Sequence, residues 1–158
     1  MGDWKKILML DIDGVVNSEN WYNKTKGQSG DFDPEAIALL NQLEPLGVEV
    51  VISSSWGDSG VKALKEVGLK LPILGCTDHY HQDWLCRGNE IEKWFHDAFG
   101  SYGTKYGSKW YQKDYEYVIF DDDGDMLLGQ KDNFIQTNGR TGLTQADIDK
   151  AIKILERQ

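Results

Sequence analysis

The chain has 158 residues, 40% of them apolar, and carries a formal net charge of -9. That size and apolar content suit a single domain with a packed core, spanning 1–158, while the charge argues against general affinity for a nucleic-acid backbone. No apolar run approaches the roughly 18 residues a membrane span needs, no leader-like start is present, and Cys76 and Cys86 are too few for a disulfide scaffold, so a cytoplasmic protein with reduced thiols is expected.

In chain order, Lys6–Asp11 ("KILMLD") reads as a buried strand. A helix follows in "DPEAIALLNQLEPL", with Asp33 as N-cap, Pro34 at the first helical position and Gly47 past its end. Val48–Ser53 is a second strand and Ser59–Gly68 a short helix closed by glycine. Leu71–Gly75 is a third strand, and Gly88–Gly100 is helical by the spacing of Ile91, Trp94, Phe95 and Phe99. Tyr117–Asp121 and Asn133–Thr137 are the last two strands. A terminal helix begins at a capping box formed by Thr144 and Asp147.

Continuous apolar strands joined by helical crossovers predict an α/β fold, a five-stranded, mainly parallel sheet with helices on both faces. In such sheets ligands bind beyond the carboxyl ends of the strands. Polar clusters fall at three of those ends: Asp11 and Asp13, Ser53 to Ser55, and Asp121 to Asp123. They point to one site.

"DIDG" puts the carboxylates of Asp11 and Asp13 on one side of an extended segment, and Gly14 lets the chain turn just beyond. Two like charges so close repel unless a cation neutralises them or one keeps a proton. A hard ion such as Mg²⁺ takes carboxylate oxygens and keeps positions for phosphate and water. One carboxylate can attack phosphorus while the other handles a proton. The alternative for this motif alone is a solvated turn at a strand end.

Taken together, "DIDGVVN", "VVISSSW", Arg87 before a helix and "YVIFDDDGD" resemble the four ordered motifs of the haloacid dehalogenase (HAD) superfamily, over Lys6 to about Thr137. The Asp-x-Asp form resembles its phosphatase branch. The resemblance implies a Rossmann-like HAD fold and a phosphomonoester hydrolase. Asp11 would attack phosphorus to form an aspartyl phosphate, and Asp13 would serve as general acid, then general base. Ser54 would bind phosphate oxygens, with Ser53 and Ser55 as alternatives. Arg87 would supply the fixed positive charge, where many family members use lysine, and would reach phosphate through its planar fork. Mg²⁺ would be held by Asp11, by the Asp13 backbone carbonyl, and by Asp121 and Asp122, with Asp125 as an alternative acid and Asp123 part of the turn.

Only about 35 residues separate the first two strands, and about 30 separate Ser54 from Arg87, so no separate cap domain is expected. The short form is similar to the HAD domain of RNA-repair proteins and to the phosphatase half of polynucleotide kinase–phosphatases. The implied substrate is a nucleotide, as the phosphorylated small molecule, or a nucleic-acid terminal phosphate; a sugar phosphate, a phosphoprotein, or a catalytically idle domain that binds a phosphorylated ligand or partner are the alternatives. Aromatic residues near the site, among them Trp21, Tyr22, Tyr80, Trp84, Tyr102 and Trp110, either stack on bases or pin loops to the domain. Lys105, Lys109 and Lys113 interleave with the last of them. Cys76, His79, His81 and Cys86 fall within eleven residues, but their spacing fits no common zinc pattern, and buried cysteines with loop histidines are the expectation.

Overall fold

The computed structural model describes residues 4–26, 32–79, 85–99 and 115–157. Five strands form one sheet: β1 (Lys5–Leu10), β2 (Val48–Ile52), β3 (Ile73–Cys76), β4 (Tyr115–Asp121) and β5 (Phe134–Gln136). Their order is β3-β2-β1-β4-β5, and every pairing is parallel. The helices are α1 (Glu19–Lys24), α2 (Pro34–Asn41), α3 (Gly57–Glu66), α4 (Arg87–Phe99) and α5 (Gln145–Leu155).

The central strands β1, β2 and β4 carry runs of buried apolar residues on both faces because both faces of the sheet are covered. Leu8 and Leu10 of β1 join Val50, Ile52, Val118 and Phe120 in a cluster closed by Ile37 and Leu40 of α2, Leu64 of α3 and Ile148 of α5. Ile7 and Met9 point the other way, into a second cluster with Val51, Ile119 and, from α4, Ile91 and Phe95. Phe95 stacks on Tyr115 with ring centroids 4.6 Å apart. Each such buried side chain contributes about 1.5–3 kcal/mol relative to exposure, so β1, buried on both sides, is the axis of the fold.

Several local outcomes differ from the sequence pattern, among them the start of β4 at Tyr115 rather than Tyr117 and of α3 at Gly57 rather than Ser59. The helix expected to run to Leu46 stops at Asn41, and a 3-10 turn at Glu44–Leu46 follows. Pro45 has no N–H and its ring disfavours helix in the residue before it, so the chain tightens there and leaves through Gly47 at φ 70°. Strand β3 begins at Ile73 rather than Leu71. Trp21 and Tyr22 sit not in a loop but on α1, a six-residue helix whose N-cap, Ser18, accepts a hydrogen bond from the Trp21 N–H. Its sequence, ENWYNK, has no apolar periodicity to announce it. Between β1 and β2 the described residues form only α1, α2 and the 3-10 turn, with no cap domain among them.

The register sets the site. Leu10 pairs with Ile52 on one side and Phe120 on the other. The Asp11 N–H therefore donates to Phe120 O at 2.9 Å, and the Ser53 N–H to Leu10 O at 2.8 Å. Asp11, Ser53 and Asp121 thus leave three neighbouring strands at one level.

Candidate active site

Past Asp11 the chain folds back on itself. The N–H groups of Val15, Val16 and Asn17 all converge on the carbonyl of Ile12, at 3.1, 3.0 and 3.2 Å. Gly14 takes φ 77°, and a Cβ there would lie 2.2 Å from Asp122 Oδ2, so the turn needs glycine for both its conformation and the space beside Asp122. Thr137, just after β5, donates its hydroxyl to the Gly14 carbonyl at 3.0 Å and pins the turn to the far side of the sheet.

The strand ends and this turn enclose a cavity of about 210 Å³ lined by Asp11, Asp13, Ser54, Ser55, Arg87, Asp121, Asp122, Asp123 and Asp125. Among the described residues Arg87 is its only basic lining residue. One oxygen each from Asp11, Asp121 and Asp122 lies within 4.8 Å of the others. Asp11 and Asp121 are buried, at 7% and 2% exposure. Burial, more than any neighbour, pushes the Asp11 carboxyl above its ordinary range; a backbone hydrogen bond at Ile12, the Arg87 charge and the Ser54 hydroxyl pull it back. Asp121 is pushed up by burial and then by the adjacent charge of Asp11. Asp122 is raised by burial as well. Three carboxylates this close, with an oxygen-only donor set and one arginine to offset them, fit a hard divalent cation.

Arg87 opens α4, and its Nε lies 3.7 Å from Asp121 Oδ2. The start of that helix is fixed from the loop after β4. Asp125 Oδ2 accepts the Arg87 backbone N–H at 2.9 Å, and Gln130 Nε2 donates to the Gly88 carbonyl at 2.9 Å. A Cβ on Gly88 would lie 2.5 Å from the Leu127 backbone, so the helix end sits against that loop at glycine distance. Asp125 is thereby engaged at the helix start and lies outside the carboxylate triplet. Asp123 donates its backbone N–H to Asp121 Oδ1 at 2.9 Å, the turn role expected of it.

Asp13 is exposed and its side chain is not in the triplet. Its Oδ2 accepts the Trp56 indole N–H at 2.9 Å, and its Oδ1 faces Asn17 Nδ2 at 3.4 Å. Ser54 and Ser55 line the cavity, whereas the Ser53 hydroxyl is buried with no hydrogen-bond partner among the described residues. Of the three serines, Ser54 is the one whose hydroxyl draws the raised Asp11 carboxyl back down.

Two participants escaped the sequence. Glu90 is buried, with Oε2 3.0 Å from Arg87 Nη1 and Oε1 3.2 Å from His79 Nδ1. Its signal was the i,i+3 spacing from Arg87 on one helix. Trp56 closes the "VVISSSW" motif, and nothing in that motif announces its bond to Asp13. Cys76 and Cys86 are half-buried thiols rather than core residues, hydrogen-bonded to Asp58 and Asn89. Tyr80, His81, Trp84 and the aromatic and lysine positions of 102–113 lie outside the described residues. Among those described, no helix is long and apolar enough to cross a membrane.

No curated protein matches this chain. The profile of the family described as "HAD domain in Swiss Army Knife RNA repair proteins" matches residues 7–148. That span runs from within β1 into α5 and takes in every motif gathered around the cavity, and so the chain belongs to the HAD superfamily, as a domain of the kind found in those RNA repair proteins.

Proposed function

We propose that this domain is a Mg²⁺-dependent phosphatase that removes a terminal phosphate from a nucleic acid or nucleotide through an aspartyl-phosphate intermediate. The observation that carries the reading is the convergence of Asp11, Asp13, Ser54, Arg87, Asp121 and Asp122 on one small cavity. Asp11, Asp121 and Asp122 would hold the cation, with the Asp13 carbonyl as a fourth oxygen. When bound, Mg²⁺ would offset the charge of the carboxylates and of the incoming phosphate.

Asp11 attacks phosphorus, forming an Oδ–P bond as the ester P–O bond breaks. The leaving oxygen takes a proton from the Asp13 carboxyl. Water then attacks the phosphoryl group, gives its proton to Asp13, and releases phosphate and free Asp11. Ser54 and Arg87 hold the phosphoryl oxygens throughout, and the Arg87 guanidinium matches the charge that builds on them.

The substrate class rests on two supports. The matching family is described by RNA repair, and the described residues place no cap domain over the cavity, which suits a substrate presented at the end of a long chain. The test is phosphate release from 5′- and 3′-nucleotides, end-phosphorylated oligonucleotides and sugar phosphates, with Mg²⁺ or EDTA. Metal-dependent release that ranks oligonucleotide ends first is expected. A preference for sugar phosphates or phosphopeptides would overturn the substrate, and binding of these ligands without turnover would overturn the chemistry.

A further inference from the structure

We infer that Trp56 is a positioning residue for Asp13, holding its carboxyl on the leaving-group side of the cavity; the inference rests on the phosphatase reading above. Trp56 is the N-cap of α3 and makes no capping bond with its side chain. The indole instead donates Nε1–H to Oδ2 of Asp13, a residue that lines the cavity, at 2.9 Å. From the same residue, the backbone N–H faces Ser54 Oγ at 3.4 Å. One residue therefore ties the phosphate-binding hydroxyl to the acid–base carboxyl.

An exposed aspartate on a turn has free rotamers, and Asp13 has a cation site beside it that would attract its carboxylate. A donor on a mobile side chain would not resist that pull. The Trp56 ring is half-buried against the core, and the edge of Phe32 packs on it at 5.4 Å with an interplanar angle of 61°. Phe32 is buried at 3% exposure, which fixes the ring from the segment that leads into α2. Indole nitrogen is a donor only, so it orients the carboxyl without competing for its proton. Asn17, at 3.4 Å on the other oxygen, completes the bracket.

The test compares wild type and Trp56→Phe on two probes, 4-nitrophenyl phosphate and an end-phosphorylated oligoribonucleotide. Nitrophenolate leaves without a proton, whereas the ribose oxygen needs one. General acid catalysis supplies ~10²–10⁴-fold, so a misplaced acid should lower kcat/KM for the oligonucleotide by about 30-fold or more and for the aryl ester by only a few-fold. On the aryl ester kcat and KM should fall together, because the phosphoenzyme then waits on the same carboxyl to take the proton of water. Equal losses on both probes, or none on the oligonucleotide, would overturn the inference while leaving the phosphatase reading intact. No release by wild type from either probe would sink both. A second readout needs no turnover: in ¹H–¹⁵N spectra the Trp56 indole resonance should move in Asp13→Ala, and an unmoved resonance would show that the bond is not made.

Discussion

Glu90 lies one helical turn behind Arg87, and its buried carboxylate reaches the Arg87 guanidinium with one oxygen and the His79 ring with the other. The pair sets the direction of Arg87, the only arginine lining the cavity among the described residues. Asp121, at 3.7 Å, competes for the same guanidinium, and Glu90 draws Arg87 away from a carboxylate that the proposed cation would use. Buried carboxylates are retained only with partners, and removing one partner strands the other. Glu90→Gln keeps the shape and removes the charge. It should weaken inhibition by inorganic phosphate about tenfold, since one such hydrogen-bonded charge is worth about 1.5–3 kcal/mol, and lower stability to urea by a similar energy. Unchanged phosphate inhibition would remove Glu90 from the site's support.

Asp122 sits between two glycines. A Cβ on Gly139 would meet Asp122 Oδ2 at 2.7 Å, and unlike Gly14, Gly139 is not in a left-handed conformation. Gly139→Ala therefore displaces the far end of one side chain with little strain on the backbone. The fold should survive, with thermal stability near that of wild type. The Mg²⁺ concentration for half-maximal activity should rise about tenfold, which corresponds to ~1.4 kcal/mol of lost binding. An unaltered metal requirement would show that Asp122 is not a ligand.

Tyr115 and Tyr117 pack under α4, away from the cavity. Burial, reinforced by Glu92 and Glu116, pushes the Tyr115 phenol up to about 12, and Tyr117 is raised by the same causes in the same order with Tyr115 added. A raised pKa means that the folded state keeps the proton longer than the unfolded chain does. The stability from these groups is fully present below the unfolded value of about 10 and is lost as pH rises through the folded one. The midpoint of urea unfolding should drop steeply between pH 10 and 12, and less steeply in Tyr115→Phe. Parallel curves would assign the alkaline transition to other groups.

The central strands were legible because each carries apolar residues on both faces, and the parallel arrangement followed from the helices between them. Asp11, Asp121 and Ser54 were legible for a related reason: a polar residue at the end of a buried strand has few places to go except the ligand-binding edge. Strand order was not readable, since β1 and β4 pair across more than a hundred residues and nothing local encodes that partnership. Helix α1 was missed because its six residues owe their helicity to the Ser18 cap rather than to an apolar stripe. The stop before Pro45 was available in the sequence and was overridden by the apolar spacing ahead of it. Trp56 and Asp13 are 43 positions apart, and only the β1–β2 register brings them together. Glu90 could have been found from Arg87, as an acid one helical turn on.

The central claim is that Asp11 forms a bond to phosphorus. The direct measurement is acid quenching of enzyme turning over a radiolabelled phosphomonoester in Mg²⁺, followed by mapping of the labelled peptide. The account predicts label on the peptide that carries Asp11, absent in EDTA and in Asp11→Asn. Phosphate release at an undiminished rate by Asp11→Asn, or label on another residue, would contradict it.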